Sequence, residues 1–88
     1  MADTLNNLAV TLRLQGKFDE AVSHFKQALK IDPNYADAHN NLGITLGMQG
    51  KFDEAIGHFQ AALRIRPDFA EAKINLNFAI KSKSKNSP

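Results

Sequence analysis

Sliding the 88-residue sequence against itself by 34 residues superimposes residues 2–35 on residues 36–69 without a gap, and 20 of the 34 pairs are identical. A period of this length marks an array of small supersecondary units, none of which can bury its apolar face alone. The longest matched block is Gln15-Gly16-Lys17-Phe18-Asp19-Glu20-Ala21, repeated as Gln49-Gly50-Lys51-Phe52-Asp53-Glu54-Ala55. A third copy opens at Ala70, where Asn75 and Leu76 repeat Asn41 and Leu42, and runs for one helix.

Each copy reads as two helices. Leu5, Leu8, Ala9 and Leu12 recur at i, i+3, i+4 and i+7, and Ala21, Phe25, Ala28 and Leu29 form a second stripe of the same kind. Gly16 and Gly50 interrupt the pattern where a helix end calls for a positive φ, and Asp19 and Asp53 are placed to cap the helices that follow. Pro33 and Pro67 stop the second helix of each copy, with Asn34 and Asp68 as candidate caps for the next. Asp37 and Glu71 add negative charge to the following first turns. The spacing predicts helices near residues 3–15, 19–31, 36–49, 53–65 and 70–82. The chain is therefore expected to be all-α, one domain over residues 1–82 made of antiparallel hairpins at 2–35 and 36–69 and a capping helix at 70–82. Residues 83–88, with Lys83 and Lys85, read as a disordered basic tail.

These residues resemble the tetratricopeptide repeat, whose pattern is W-x2-L-G-x2-Y, then A-x3-F, then P. The sequence supplies Leu5, Leu8, Ala9, Leu12, Ala21, Phe25 and Pro33, then His39, Leu42, Gly43, Leu46, Ala55, Phe59 and Pro67. Aromatic positions of the motif are filled by Leu5 and His39 and by Leu12 and Leu46, which thins the aromatic packing and keeps every small residue. The resemblance implies hairpins stacked in a right-handed α-solenoid, with the first helices lining its inner face.

Composition bounds the alternatives. There is no cysteine, so no disulfide supports the fold. The net charge is +2, yet residues 1–80 carry eight Lys and Arg against nine acids; the excess sits at Lys81, Lys83 and Lys85 and makes no basic face for nucleic acid. No apolar run is long enough to span a bilayer, and Met1-Ala2-Asp3-Thr4 does not open a signal peptide, so no membrane is expected and a cytoplasmic setting is. No cofactor, metal or catalytic residue is expected. His24 and His58 are equivalent positions on second helices and read as surface histidines one repeat apart, and His39 reads as a partly buried spacer.

The inner face implied by the resemblance gives the candidate binding residues. They are Asn6, Asn7, Val10, Arg13 and Leu14 from the first copy, Asn40, Asn41, Ile44 and Met48 from the second, and Ile74, Asn75 and Phe78 from the third. Asn7, Asn41 and Asn75 form a ladder at 34-residue spacing, similar to the asparagine ladder of O-linked N-acetylglucosamine transferases, and the repeats as a whole resemble those of that family and of bacterial tetratricopeptide proteins; an amide carries a donor and an acceptor side by side and suits an extended backbone. Val10, Leu14, Ile44, Met48, Ile74 and Phe78 add an apolar stripe. The clamp for acidic C-termini found in chaperone-binding relatives is not matched: Asn6, Val10, Glu71 and Asn75 stand at its positions, and only Asn41 fits.

A peptide or protein partner held in this groove is the expected function. The alternatives are a self-assembling scaffold, with a homodimer or higher assembly through the N-terminal edge or the groove, and a substrate-selecting segment of a larger enzyme. The same pattern places Phe25 and Phe59 at the centre of the core. Truncating either to Ala is expected to cost about 3–5 kcal/mol, read as a loss of the cooperative thermal transition; a variant that melts like the parent would refute the core assignment.

Overall fold

The computed structural model describes residues 1–86. They form α1 (Ala2–Leu14), α2 (Phe18–Ile31), α3 (Ala36–Met48), α4 (Phe52–Ile65) and α5 (Ala70–Asn86), with no strand among the described residues. The first four agree with the predicted spans to within one residue. The fifth does not. It continues through Asn86 where a disordered tail was expected from residue 83. Lys83 explains part of this, because its Nζ lies 2.6 Å from Asp53 Oδ1 on α4. Lys83 and Lys85 also fall in the last turn, where the helix dipole favours cations. Ser87 and Pro88 of the expected tail lie outside the described residues.

The hairpin turns are built on backbone hydrogen bonds. Gly16 has φ +80° and Gly50 φ +78°, the left-handed region that other residues enter at a cost. That conformation lets the Lys17 N–H donate to the Leu12 carbonyl at 2.9 Å and the Gly16 N–H to the Arg13 carbonyl at 2.9 Å. Lys51 and Gly50 repeat both bonds onto Leu46 and Gly47 at 2.9 and 3.0 Å. The pairing satisfies the last carbonyls of α1 and α3 and reverses the chain in three residues.

The helix starts differ from expectation. The N-caps are Lys17, Tyr35 and Lys51, none with a side-chain cap hydrogen bond, so Asp19, Asn34 and Asp53 are not caps. Because α2 and α4 begin one residue early, at Phe18 and Phe52, the aspartates sit inside the first turn and point outward to other partners. Asp19 Oδ1 accepts from Gln49 Nε2 at 2.7 Å, and Asp53 meets Lys83. Asn34 is held differently, its backbone N–H donating to Asp32 Oδ1 at 3.1 Å in the turn between α2 and α3. Asp68 likewise lies before α5, in the turn that Phe69 N–H closes onto the Arg66 carbonyl.

Each helix packs on its neighbours in sequence, α1 on α2, α2 on α3, α3 on α4 and α4 on α5, with α1, α3 and α5 also touching in series. The core lies between the hairpins. Ala9, Ala21, Phe25, Leu42, Leu46, Ala55, Phe59 and Ala79 are buried in one cluster, and Ala36, Ala62, Phe69 and Ala72 in a second. Leu8, by contrast, is 43% exposed although its equivalent Leu42 is fully buried. The reason is position: α3 is covered on both sides and buries seven residues, whereas α1 is covered on one and buries two.

Two glycines of α3 meet opposite environments. A Cβ at Gly43 would lie 2.5 Å from the buried Phe59 ring, while one at Gly47 would meet nothing within 4 Å. Gly43→Val is therefore expected to destabilise by about 1–3 kcal/mol through overpacking. Gly47→Ala should instead stabilise by up to about 1 kcal/mol through helix propensity. Thermal melts of the two variants side by side check the assignment.

Candidate functional site

The starts of α1, α3 and α5 share one edge of the stack, and equivalent positions on these helices form rows across it. Asp3, Asp37 and Glu71 occupy the first turns. One turn further stand Asn7, Asn41 and Asn75, then Val10, Ile44 and Phe78, and at the far edge Leu14 and Met48. Helical spacing of i, i+4, i+7 and i+11 keeps each set on one face. Leu14, Met48, Ile74 and Phe78 are 78%, 58%, 68% and 68% exposed, an unfavourable placement for apolar side chains of this size.

Between α3, α4 and α5 this face deepens into a cleft of ≈400 Å³. Gly43, Ile44, Gly47 and Met48 form one wall and Phe78, Ala79 and Asn75 the other, with Phe52 and Phe59 beneath. Its cause is a missing side chain. Gly47 is the equivalent of Arg13, and the Arg13 guanidinium occupies the corresponding place in the first copy, Nη1 donating to the Asn41 carbonyl at 3.4 Å. Burial lowers the pKa of Arg13.

Not every predicted groove residue reaches the surface. Asn6 and Asn40 are buried, at 6% and 3% exposure, and face the neighbouring first helix instead of a partner. Asn41 Nδ2 donates to Asn6 Oδ1 at 3.1 Å, and Asn75 Nδ2 donates to Asn40 Oδ1 at 3.1 Å. Each copy is thus locked to the next by an amide pair 35 residues apart. The Asn41 carbonyl also accepts from Thr45 Oγ1 at 2.9 Å, which satisfies a hydroxyl that is fully buried. Asn7, Val10, Ile44, Met48, Asn75 and Phe78 remain on the open face, Val10, Ile44 and Asn75 partly covered; predicted Ile74 instead stands at the phase of Asn6 and Asn40, exposed because no further first helix covers it among the described residues.

At the first lock Tyr35 stands beside Asp3 and Asn6. Burial raises the pKa of its phenol, as do the hydrogen bond to Asp3 and the charges of Asp3 and Asp37, with Asn6 opposing. Asn6 Oδ1 meanwhile accepts from Asn41 Nδ2.

A feature not foreseen lies on the other face. His39 and His58 meet through their Nδ1 atoms at 3.1 Å, their rings 28° from coplanar. His39 Nε2 is 3.1 Å from the Pro33 carbonyl, which can only accept, so that nitrogen carries the proton and neutral His39 receives a bond from His58 Nδ1–H. His24, the equivalent of His58, instead places Nδ1 2.8 Å from the Glu20 carbonyl. His58, expected as a surface histidine, is instead part-buried against His39, which stands where the first copy has Leu5. Among the described residues no group of three or more His, Cys, Asp or Glu side chains could hold a metal.

With this geometry in view, comparison with known proteins is decisive for the family. The tetratricopeptide repeat model matches residues 1–68. The chain belongs to the tetratricopeptide repeat family. Its hairpins stack as the solenoid of that family, and the helix-packing positions are the motif positions Ala9, Gly43, Ala21, Ala55, Phe25 and Phe59. Among solved structures, one described as the crystal structure of MamA protein superimposes with a TM-score of 0.91 at 24% identity, over 94% of this chain and 45% of that one. This tetratricopeptide chain thus spans less than half the length of that structure's chain. No curated protein matches in sequence. No helix among the described residues is long and apolar enough to cross a membrane.

Protonation of the histidine pair gives a testable consequence. Burial, followed by the charges of His39 and Lys26, lowers the pKa of His58 below its ordinary 6.5, with Glu54 opposing. The unfolded chain then binds that proton more readily than the folded one, so this contribution to stability is full above about pH 7 and declines as pH falls through the unfolded value. The melting temperature is expected to drop between about pH 7.5 and 5.5. Replacing His58 by Gln should flatten that portion of the profile, measured by thermal melts at constant ionic strength.

Proposed function

We propose that the chain is a protein-interaction module that holds a polypeptide segment across α1, α3 and α5. The observation that carries this reading is the open face itself: three parallel rows of amide, apolar and acidic side chains end in an apolar cleft of ≈400 Å³. Such a cleft accommodates one bulky side chain, and fixed polar groups beside an apolar pocket orient what enters it. Asn41 and Asn75 supply those groups, since their hydrogen bonds to Asn6 and Asn40 hold the two amides in place.

Self-association is the second reading, favoured by Leu8 and Leu14 exposed on α1 and Ile80 on α5. Sedimentation over a concentration series separates the two. For the groove reading, peptides selected from a random displayed library on the immobilised protein are added to isotope-labelled chain. The amide resonances of Asn41, Ile44, Asn75 and Phe78 are expected to shift, while those of Lys26 and Lys30 on the opposite face stay in place. Selection of no peptide, or shifts confined to α2, would reject it.

A further inference from the structure

We propose that the segment taken by this groove is basic and carries a bulky apolar anchor: the anchor enters the cleft between α3 and α5, and an Arg or Lys beside it reaches Glu71. This rests on the groove reading and specifies the partner's chemistry.

The argument starts from which hydrogen-bonding capacity is left over. Asn41 and Asn75 each spend one amide N–H on Asn6 and Asn40, which leaves a second N–H and the Oδ1 of each. On the same face the carboxylates of Asp3, Asp37 and Glu71 stand in the first turns. The amides can serve a ligand either way, but these three charged groups are all acceptors, and a ligand that satisfies them must bring donors. Arginine and lysine side chains have only donors.

The cations that could neutralise this edge are engaged or distant. Arg66 is paired with Asp37 at 2.9 Å and lies 3.9 Å over the Phe69 ring. Arg13 is turned onto the Asn41 carbonyl. Lys81 lies beyond Phe78, at the far end of the face from Glu71. Glu71 itself is exposed and forms no ion pair among the described residues. Glu71, Asn75 and Phe78 share one face of α5, so the carboxylate and the cleft are separated by two helical turns, roughly 10 Å. An extended segment covers that span in about three residues. A cation two or three positions from the anchor thus reaches Glu71 while the backbone between them passes the Asn75 amide.

The apolar half sets the anchor. Phe52 and Phe59 form the floor and Met48 and Phe78 the rim, with no charged side chain lining the cleft. A methionine rim adapts to aromatic or branched side chains alike, so size and apolarity are selected more than shape.

The test uses short fluorescein-labelled Gly/Ser peptides with one Phe flanked on each side by Arg after a spacer residue, together with a Glu-for-Arg and a Ser-for-Phe counterpart. Fluorescence anisotropy at low ionic strength is expected to show the Arg peptide bound about tenfold more tightly than the Glu peptide, the gap closing as salt is added. The Ser peptide should bind weakly. Glu71→Lys is expected to reverse the preference. Gly47→Leu places a side chain in the cleft, where a Cβ meets nothing within 4 Å, and should abolish binding of both Phe peptides without lowering the melting temperature. Equal affinity for Arg and Glu peptides, both lost in Gly47→Leu, would overturn the charge preference and leave the groove reading standing. Binding that survives Gly47→Leu would overturn the cleft as the anchor site. If no peptide of any charge binds, and the mass measured by sedimentation falls to that of a monomer only in Gly47→Leu, the cleft is filled by a second copy and the proposal is wrong together with the groove reading.

Discussion

The ring of Phe59 lies against α3 so closely that position 43 has no space for a methyl group. Everything in the second hairpin depends on that approach. Because Phe59 crosses at Gly43, α3 and α4 come near enough for Leu42, Leu46 and Ala55 to close around it, and Ala79 of α5 joins the same cluster. The first hairpin solves the same problem with Ala9 against Phe25, both fully buried. Dispersion contacts of this density are lost when either surface retreats by a fraction of an ångström. The small residue and the aromatic ring are one device, and the helices are positioned by it.

Polar contacts then set the register from one copy to the next. Asn6 with Asn41 and Asn40 with Asn75 bridge successive first helices at a constant offset of 35 residues. Asp19 with Gln49 and Asp53 with Lys83 bridge the outer edge at an offset of 30. The two kinds of contact differ in weight. The aspartate contacts are exposed and contribute little individually. The asparagine pairs involve buried acceptors, and truncating Asn41 would leave Asn6 Oδ1 without its donor at a cost of about 1–3 kcal/mol. The ladder proposed to meet a partner is the same ladder that fastens the repeats, so its geometry is set by the stack and by no loop.

Most of the fold was legible because it repeats. A 34-residue period, a glycine at the same phase and Phe25 aligned with Phe59 leave one economical arrangement of helices, and the positive φ at Gly16 and Gly50 follows from it. The caps were misread because a one-residue shift in a helix start moves an aspartate from a cap to the first turn, and sequence spacing does not resolve one residue. The site was legible in part. Asn7, Ile44, Met48 and Phe78 follow from their phase on the first helices, whereas Asn6 and Asn40 lie at the boundary between two faces, and only the crossing of adjacent helices decides that they are buried. The cleft had a signal that went unused, the exchange of Arg13 for Gly47 between otherwise matched copies. The histidine pair had one as well, since His39 replaces Leu5 opposite a residue that is histidine in both copies.

The uneven covering of the helices has a consequence for how the molecule opens. A stack whose members touch chiefly their neighbours has stability that accumulates along its length. Here α3 is shared by both neighbours and α1 is attached through one flank. Amide protons of α1 should then exchange with solvent through partial openings that leave the α3–α4 hairpin intact, while those of α3 are released only when the whole chain unfolds. The cleft lies beside this most persistent helix and the lone Arg13 beside the most labile one. The proposed anchor site at Gly47 and Phe78 thus sits on the part of the protein that breathes least, and the other end of the same face on the part that breathes most.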